Sequence, residues 1–253
     1  MCPCAPKYSE NYGQPFHSLL NYDCRYLQFL YNSNISPSKK QNPIPKHQYK
    51  IKEKRGIQLT RRRNLNPDSY YHVTMRGNNR QPIFGTHQDM MELMRIFQHA
   101  HDRYSFHLLA YCFMTNHYHI LIKTESVSLS KIMALINRRY TASYSKRYNH
   151  VGRIYQRRYF AKEVKSYPGL LKVSKYIHRN PINTKDPIVQ RIEWYPYSSY
   201  PYYFDESKKT PRFLKTRVLI EFLPHPYDKT NQDYCNFCNM VPVHQTILQN
   251  TKN

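Results

Sequence analysis

The chain has 253 residues, room for one sizeable domain with extensions or for two small ones. Its 39 lysines and arginines against 16 aspartates and glutamates leave it at +23. An excess of that size points to a polyanionic partner, nucleic acid foremost. No apolar run reaches the roughly eighteen residues that a membrane span needs, and the start, MCPCAPKYSE, has neither the charged nor the apolar region of a secretory signal. A cytoplasmic protein, nucleoid-associated when bound to DNA, is the expectation.

Residues 1–59 scatter Tyr, Asn, Ser, Pro and Lys with no sustained period and end in the basic stretch KHQYKIKEKRG. They read as a poorly ordered basic extension, in which Leu19, Leu20, Leu27 and Leu30 could still make one short helix. An ordered domain is expected over 60–182 and a tail or small subdomain over 183–253. SYYHVTMRG (69–77) is a strand by its β-branched and aromatic content and stops at a glycine. Thr86 caps a helix reaching Tyr104, with Met90, Leu93, Met94, Phe97, Ala100 and Tyr104 at three- and four-residue steps. SFHLLAYCFM (105–114) is a second strand. After the turn Thr115-Asn116, HYHILIKT is a third, with His117, His119, Leu121 and Lys123 on one face. Ser128 or Ser130 begins a helix to about Arg147. RRYFAKEV (157–164) reads as a fourth strand, and a further helix from Tyr167 stops at Asn180-Pro181. The order predicts an α+β, ferredoxin-like βαββαβ fold with an antiparallel sheet backed by helices, plus an added C-terminal helix. In the tail, WYPYSSYPYYF and the weakly amphipathic TRVLIEFL stand out.

Two short segments carry the candidate chemistry. In AYCFMTNHYHILIK (110–123), His117 and His119 flank one tyrosine, so both imidazoles fall on one face of a strand and can hold a metal. In SKYIHRNPI (174–182), Tyr176 and Asn180 are one helical turn apart and can complete the site. An HxH pair is weak by itself among 13 histidines, and Tyr176 is one of 25 tyrosines, with Tyr140 and Tyr155 next in line as nucleophiles. Two imidazoles and one amide oxygen leave positions open for phosphate and water, a role that suits Mg²⁺ or Mn²⁺. A metal beside a tyrosine suggests phosphoryl transfer through a phosphotyrosine. Lys172, Tyr176, Arg179 and Asn180 share a polar sector of the last helix, opposite an apolar stripe of Leu170, Val173 and Ile177. The basic-aromatic stretches 137–150 and 152–160 suit single-stranded or hairpin nucleic acid, where cations track phosphates and tyrosines offer stacking faces. The candidate DNA-binding residues are Arg76, Lys123, Arg138, Arg139, Arg153, Arg157, Arg158, Lys172 and Arg179. Of six cysteines, Cys112 reads as a buried thiol. Cys2, Cys4, Cys235 and Cys238, with His225 or His244, make a conceivable zinc set, although free thiols are the plainer reading of one CxxC.

In family order, YHVTMRGNNRQPIF, HLLAYCFMTNHYHILI, INRRYTASYSKRYNHVGRIYQRRYFAKEV, YIHRNPI and WYPYSSY resemble the REP-associated tyrosine transposases, single-tyrosine HUH-type enzymes. The resemblance spans about Thr60 to Tyr200. It implies a metal-dependent endonuclease and strand transferase acting on single-stranded DNA next to hairpins, as a monomer or homodimer. It places the metal ligands at His117, His119 and Asn180 and the nucleophile at Tyr176, which would form a 5′-phosphotyrosine. Residues 1–59 have no counterpart in it, and Tyr155 or Tyr197 stands where the family often has tryptophan. The competing readings are a domesticated, non-catalytic binder of hairpin or single-stranded nucleic acid, and an RNA-associated basic protein.

Overall fold

The computed structural model describes residues 65–240; the expectations for 1–59, Cys2, Cys4, Cys24 and His244 fall outside the described residues. Four strands, β1 (Tyr70–Arg76), β2 (Phe106–Met114), β3 (His117–Thr124) and β4 (Phe160–Glu163), form one sheet in the order β2-β3-β1-β4, with every pairing antiparallel. The helices α1 (His87–Arg103) and α2 (Leu129–Tyr148) make the two crossovers, and α3 (Tyr167–Arg179) follows β4. This is the ferredoxin-like βαββαβ arrangement with the added helix.

Local chemistry sets the element ends. Thr86 and Asp89 form a reciprocal capping box at the start of α1. Ser166 accepts from the Gly169 amide at the start of α3. β1 runs into a tight turn at Gly77, where a Cβ would stand 2.3 Å from the Gln81 carbonyl oxygen, so the turn takes glycine. β4 is shorter than expected. Residues 154–156 instead follow the Gly77 turn, with Asn78 donating to the Ile154 carbonyl and Gln156 to that of Arg76, which leaves Arg157 and Arg158 outside the ladder and exposed.

Helices cover both faces of the sheet. On the first face Val73, Tyr111, Phe113, Tyr118, Ile120 and Ile122 meet Leu93, Phe97, Ile132 and Ile136 of α1 and α2. On the second, Ala110, Cys112, Met114 and Leu121 meet Leu170, Leu171 and Ile177 of α3. Side chains buried this fully contribute about 1.5–3 kcal/mol each. Two-sided burial explains why β2 is apolar without alternation from Leu108 to Met114. A bulge between Leu108 and Ala110 inserts one extra residue, and Tyr203 donates to the carbonyl of that residue, Leu109, at 2.5 Å.

Residues 183–240 pack on the second face and along the β2 edge. They carry α4 (Pro201–Phe204), α5 (Arg217–Glu221) and α6 (Asn231–Asn239). Tyr200, Tyr203, Leu219 and Tyr234 join the core under α3. The Phe113 amide donates to the Tyr197 carbonyl, Ser199 donates to that of Tyr111, and Leu108 exchanges bonds with Phe213 and Lys215. The outer edge of β2 is thereby closed, as an exposed edge strand requires. Cys112, Cys235 and Cys238 are buried free thiols, while His225 is exposed. No helix among the described residues is long and apolar enough to cross a membrane.

Candidate functional site

The sheet register builds one row of polar side chains across the second face. His117 lies opposite Arg76, His119 opposite Thr74, and Thr74 in turn opposite Phe160 on β4. The two imidazole centroids are 5.0 Å apart, edge to face. Above them, α3 is held down by Leu170, Leu171 and Ile177, which points Tyr176 at the row. Its ring stands edge-on 5.3 Å from His119 and 5.9 Å from His72. Tyr176 stays 46% exposed, open to a substrate. Asn180, capping α3, is buried and hydrogen-bonds to His117. The four residues singled out for chemistry therefore meet in one place. Tyr140 is committed to the Ile83 carbonyl in the core, and the Tyr155 hydroxyl is buried without a hydrogen-bond partner among the described residues, so neither can serve as an accessible nucleophile.

The polar sector expected on α3 is only half realised. Lys172 faces outward and Tyr176 stays open to solvent over the histidine row, whereas Arg179 donates to the Cys238 carbonyl of α6 at 3.1 Å and Asn180 turns inward.

Both histidines are held neutral. Burial lowers His117 to about 4, aided by the nearby Arg76 charge and opposed by the hydrogen bond with Asn180. Burial lowers His119 to about 3, with His117, His72 and Arg76 adding to the effect. Their tautomers suit ligation. Asn116 donates through its amide to the Arg80 carbonyl, which turns its oxygen toward His117 Nδ1 at 2.7 Å. The proton then sits on Nδ1, and Nε2 keeps its lone pair. His119 Nδ1 lies 3.0 Å from Thr74 Oγ1 and 3.1 Å from His72 Nε2. Both partners can accept from Nδ1, and in that tautomer Nε2 is free as well, the pattern typical of metal-binding histidines. Two neutral imidazoles and a buried carboxamide thus fit a divalent cation with open positions. Among the described residues no group of three His, Cys, Asp or Glu side chains is arranged to hold a metal; the donor set here depends on the amide.

The candidate DNA-binding residues separate in space. Arg76, Arg157 and Arg158 line a cleft of about 350 Å³ together with Thr74, Gln156 and Phe160, directly beside His119. None of those three guanidiniums is in an ion pair among the described residues. Arg138 and Arg139 line a second cleft, of about 400 Å³, with Arg103, Tyr104 and Lys131 on the α1/α2 layer across the sheet. Lys123 is engaged by the Asp68 carboxylate at 2.7 Å and lies over the Tyr70 ring. Arg153 is exposed on the loop before β4.

Sequence reasoning missed His72, Thr74, Asn116 and His178. The first two were detectable, since His72, Thr74 and Arg76 alternate along β1 on the same face. His178 left no such signal. It is fully buried under the tail, 2.7 Å from Ser199 Oγ and 3.1 Å from the Tyr234 hydroxyl, and ties α3 to β2, because Ser199 Oγ also accepts from the Tyr111 amide.

Residues 66–180 match the family model for transposases described as IS200-like. Among solved structures, a REP-associated tyrosine transposase bound to a REP hairpin is 17% identical, with a TM-score of 0.50 over 59% of this chain and 87% of that one. That likeness is one of fold. A Deinococcus radiodurans R1 protein assigned as a transposase aligns at 13% identity and a TM-score of 0.34, covering 48% of this chain and 97% of that one. The tRNA(His) guanylyltransferase of Saccharomyces cerevisiae aligns at 10% and 0.37, covering 72% and 83%. No curated protein sequence matches.

Proposed function

From the match of residues 66–180 to the IS200-like transposase model, we propose that this protein nicks and rejoins single-stranded DNA beside hairpins through a tyrosine-linked intermediate. The observation that carries this reading is the convergence of an exposed phenol on two neutral imidazoles and a buried carboxamide, with the Tyr176 ring 5.3 Å from that of His119. The hairpin in the structurally similar REP-associated transposase supports the choice of substrate.

Tyr176 attacks the scissile phosphorus through its phenolic oxygen. A Tyr–O–P bond forms, the P–O3′ bond breaks, and the phenol's proton is passed on while the 3′-oxygen leaves as a hydroxyl. The 5′-phosphate stays on the protein, and attack by a second 3′-hydroxyl reverses the step and joins strands without an external energy source. A divalent cation, Mg²⁺ or Mn²⁺, held by His117, His119 and Asn180 would polarise the phosphoryl oxygen. Arg76 stands close enough to depress both imidazoles, so its charge can also oppose the negative charge that grows on the phosphoryl oxygens. Thr74 and Asn116 hold the ring orientations. The partly exposed position of Tyr176 lets the strand reach it, and the free guanidiniums of Arg157 and Arg158 receive the flanking phosphates.

The test is incubation with hairpin-bearing single-stranded oligonucleotides and Mn²⁺, followed by a denaturing gel. A covalent protein–DNA band is expected from the wild type and none from Tyr176→Phe, with binding nearly equal in the two. An undiminished band from Tyr176→Phe would remove Tyr176 from the mechanism. Tight binding with no band from either protein would identify a non-catalytic hairpin binder.

A further inference from the structure

Phe160 is an anomaly on this sheet. It sits at the first position of the edge strand β4, on the same face as Thr74 and His119, and is 51% exposed. A large exposed aromatic on an open edge strand invites unwanted association, and edge strands usually carry charge there instead. Its surroundings supply a reason. Phe160 forms one wall of the cleft lined by Arg76, Arg157, Arg158, Gln156 and Thr74. Thr74 reaches His119 Nδ1 at 3.0 Å, so the inner wall of the cleft is the outer wall of the histidine site. One short segment, 156–160, therefore sets an apolar ring and a carboxamide between cations, next to the place where a phosphate would be cut.

We propose that this cleft is a nucleotide subsite: the unpaired base adjoining the scissile phosphate stacks on Phe160, while Arg76, Arg157 and Arg158 take the phosphates on either side. The proposal deepens the strand-transfer reading above and rests on it for the position of the scissile phosphate. Stacking needs a base with a free face, and a base inside a duplex has both faces covered. The subsite therefore favours single strand at this point independently of any hairpin bound elsewhere. At about 350 Å³ the cleft is of a size that small ligands occupy. The Gln156 carboxamide offers both a donor and an acceptor to the edge of the stacked base, so the residue that selects base identity here is Gln156. The second cleft, on the α1/α2 layer, lacks an exposed aromatic of this kind beside the histidine row and contacts none of the site's residues.

The experiment uses the full chain and an oligonucleotide in which a hairpin is followed by an unpaired flank, with a single abasic position walked along that flank. Binding is measured by titration and reaction by covalent adduct. Phe160→Ala should weaken binding of the intact oligonucleotide by about five- to a hundredfold, and Phe160→Trp should restore it. One abasic position should weaken wild-type binding by a similar factor yet cost Phe160→Ala nothing further, since base and ring are then both missing from the same contact. Equal affinity of Phe160→Ala and wild type would overturn the subsite. So would a loss in Phe160→Ala that is the same factor at every abasic position, because Phe160 would then be acting through the fold. The two readings fail separately: absence of a wild-type adduct refutes strand transfer, whereas the abasic walk is read from binding alone.

Discussion

His178 offers a quantitative test of how the catalytic helix is held. The imidazole is fully buried between Ser199, Tyr234 and the rings of Tyr200 and Tyr203, and burial lowers it from 6.5 to about 3. The folded state keeps it neutral, while the unfolded chain protonates it below about 6.5. A depressed histidine of this kind contributes stability that is fully present above the unfolded pKa and is lost as pH falls toward the folded one. Unfolding then takes up one proton between pH 6.5 and about 3, so stability drops by roughly 1.4 kcal/mol per pH unit in that window. Integrated from pH 7 to pH 5, this one residue accounts for about 2 kcal/mol. His178→Gln keeps an amide that can meet Ser199 or Tyr234 and removes the titration. Urea unfolding of both proteins at pH 7, 6 and 5 should therefore show the wild type losing about 2 kcal/mol more than the variant across that range. Parallel pH profiles would refute the reasoning, since they would mean that His178 takes up no proton on unfolding. His178 lies two residues from both Tyr176 and Asn180, so adduct formation by the variant also reads how strictly α3 must be placed.

Thr74→Val should lower Mn²⁺ affinity about ten- to a hundredfold, measured by calorimetry, because His119 loses a hydrogen-bond partner that holds its ring; unchanged affinity would remove Thr74 from the site. Ile177→Ala should destabilise the fold by about 2–5 kcal/mol in urea melts, since Ile177 is fully buried between α3 and the sheet. The Arg138→Ala, Arg139→Ala double variant should reduce the slope of log affinity against log salt by about two, with the adduct rate at saturating DNA unaltered. An unchanged slope would mean that the α1/α2 cleft meets no phosphates.

Much of the fold was legible in one dimension, for reasons that lie in particular residues. The three- and four-residue steps from Met90 to Ala100, the Thr86 cap and the period-two placement of His117 and His119 are local properties, set by backbone geometry within a few residues. The spacing of Tyr176 and Asn180 on one helix is of the same kind. These features sufficed for the βαββαβ order, whereas singling out the four residues that later meet also took the family resemblance. The shortened β4 was not legible, because RRYF has strand composition and only the Gly77 turn diverts residues 154–156 from the ladder. Nor was the fate of the basic residues. Lys123 and Arg158 look alike in sequence, yet one is paired with Asp68 and the other faces an open cleft.

What the sequence determined by itself is the set of elements and the chemistry they carry, since helix and strand periods and ionisable groups are written residue by residue. What only the tertiary structure decided is which of those groups work together: that the tail folds under α3 and seals β2, that His72 and Thr74 stand behind His119, and that Phe160 and three arginines open onto the same row. Those outcomes depend on contacts between segments far apart in the chain, where register, burial and the competition for one sheet face settle what no local pattern encodes.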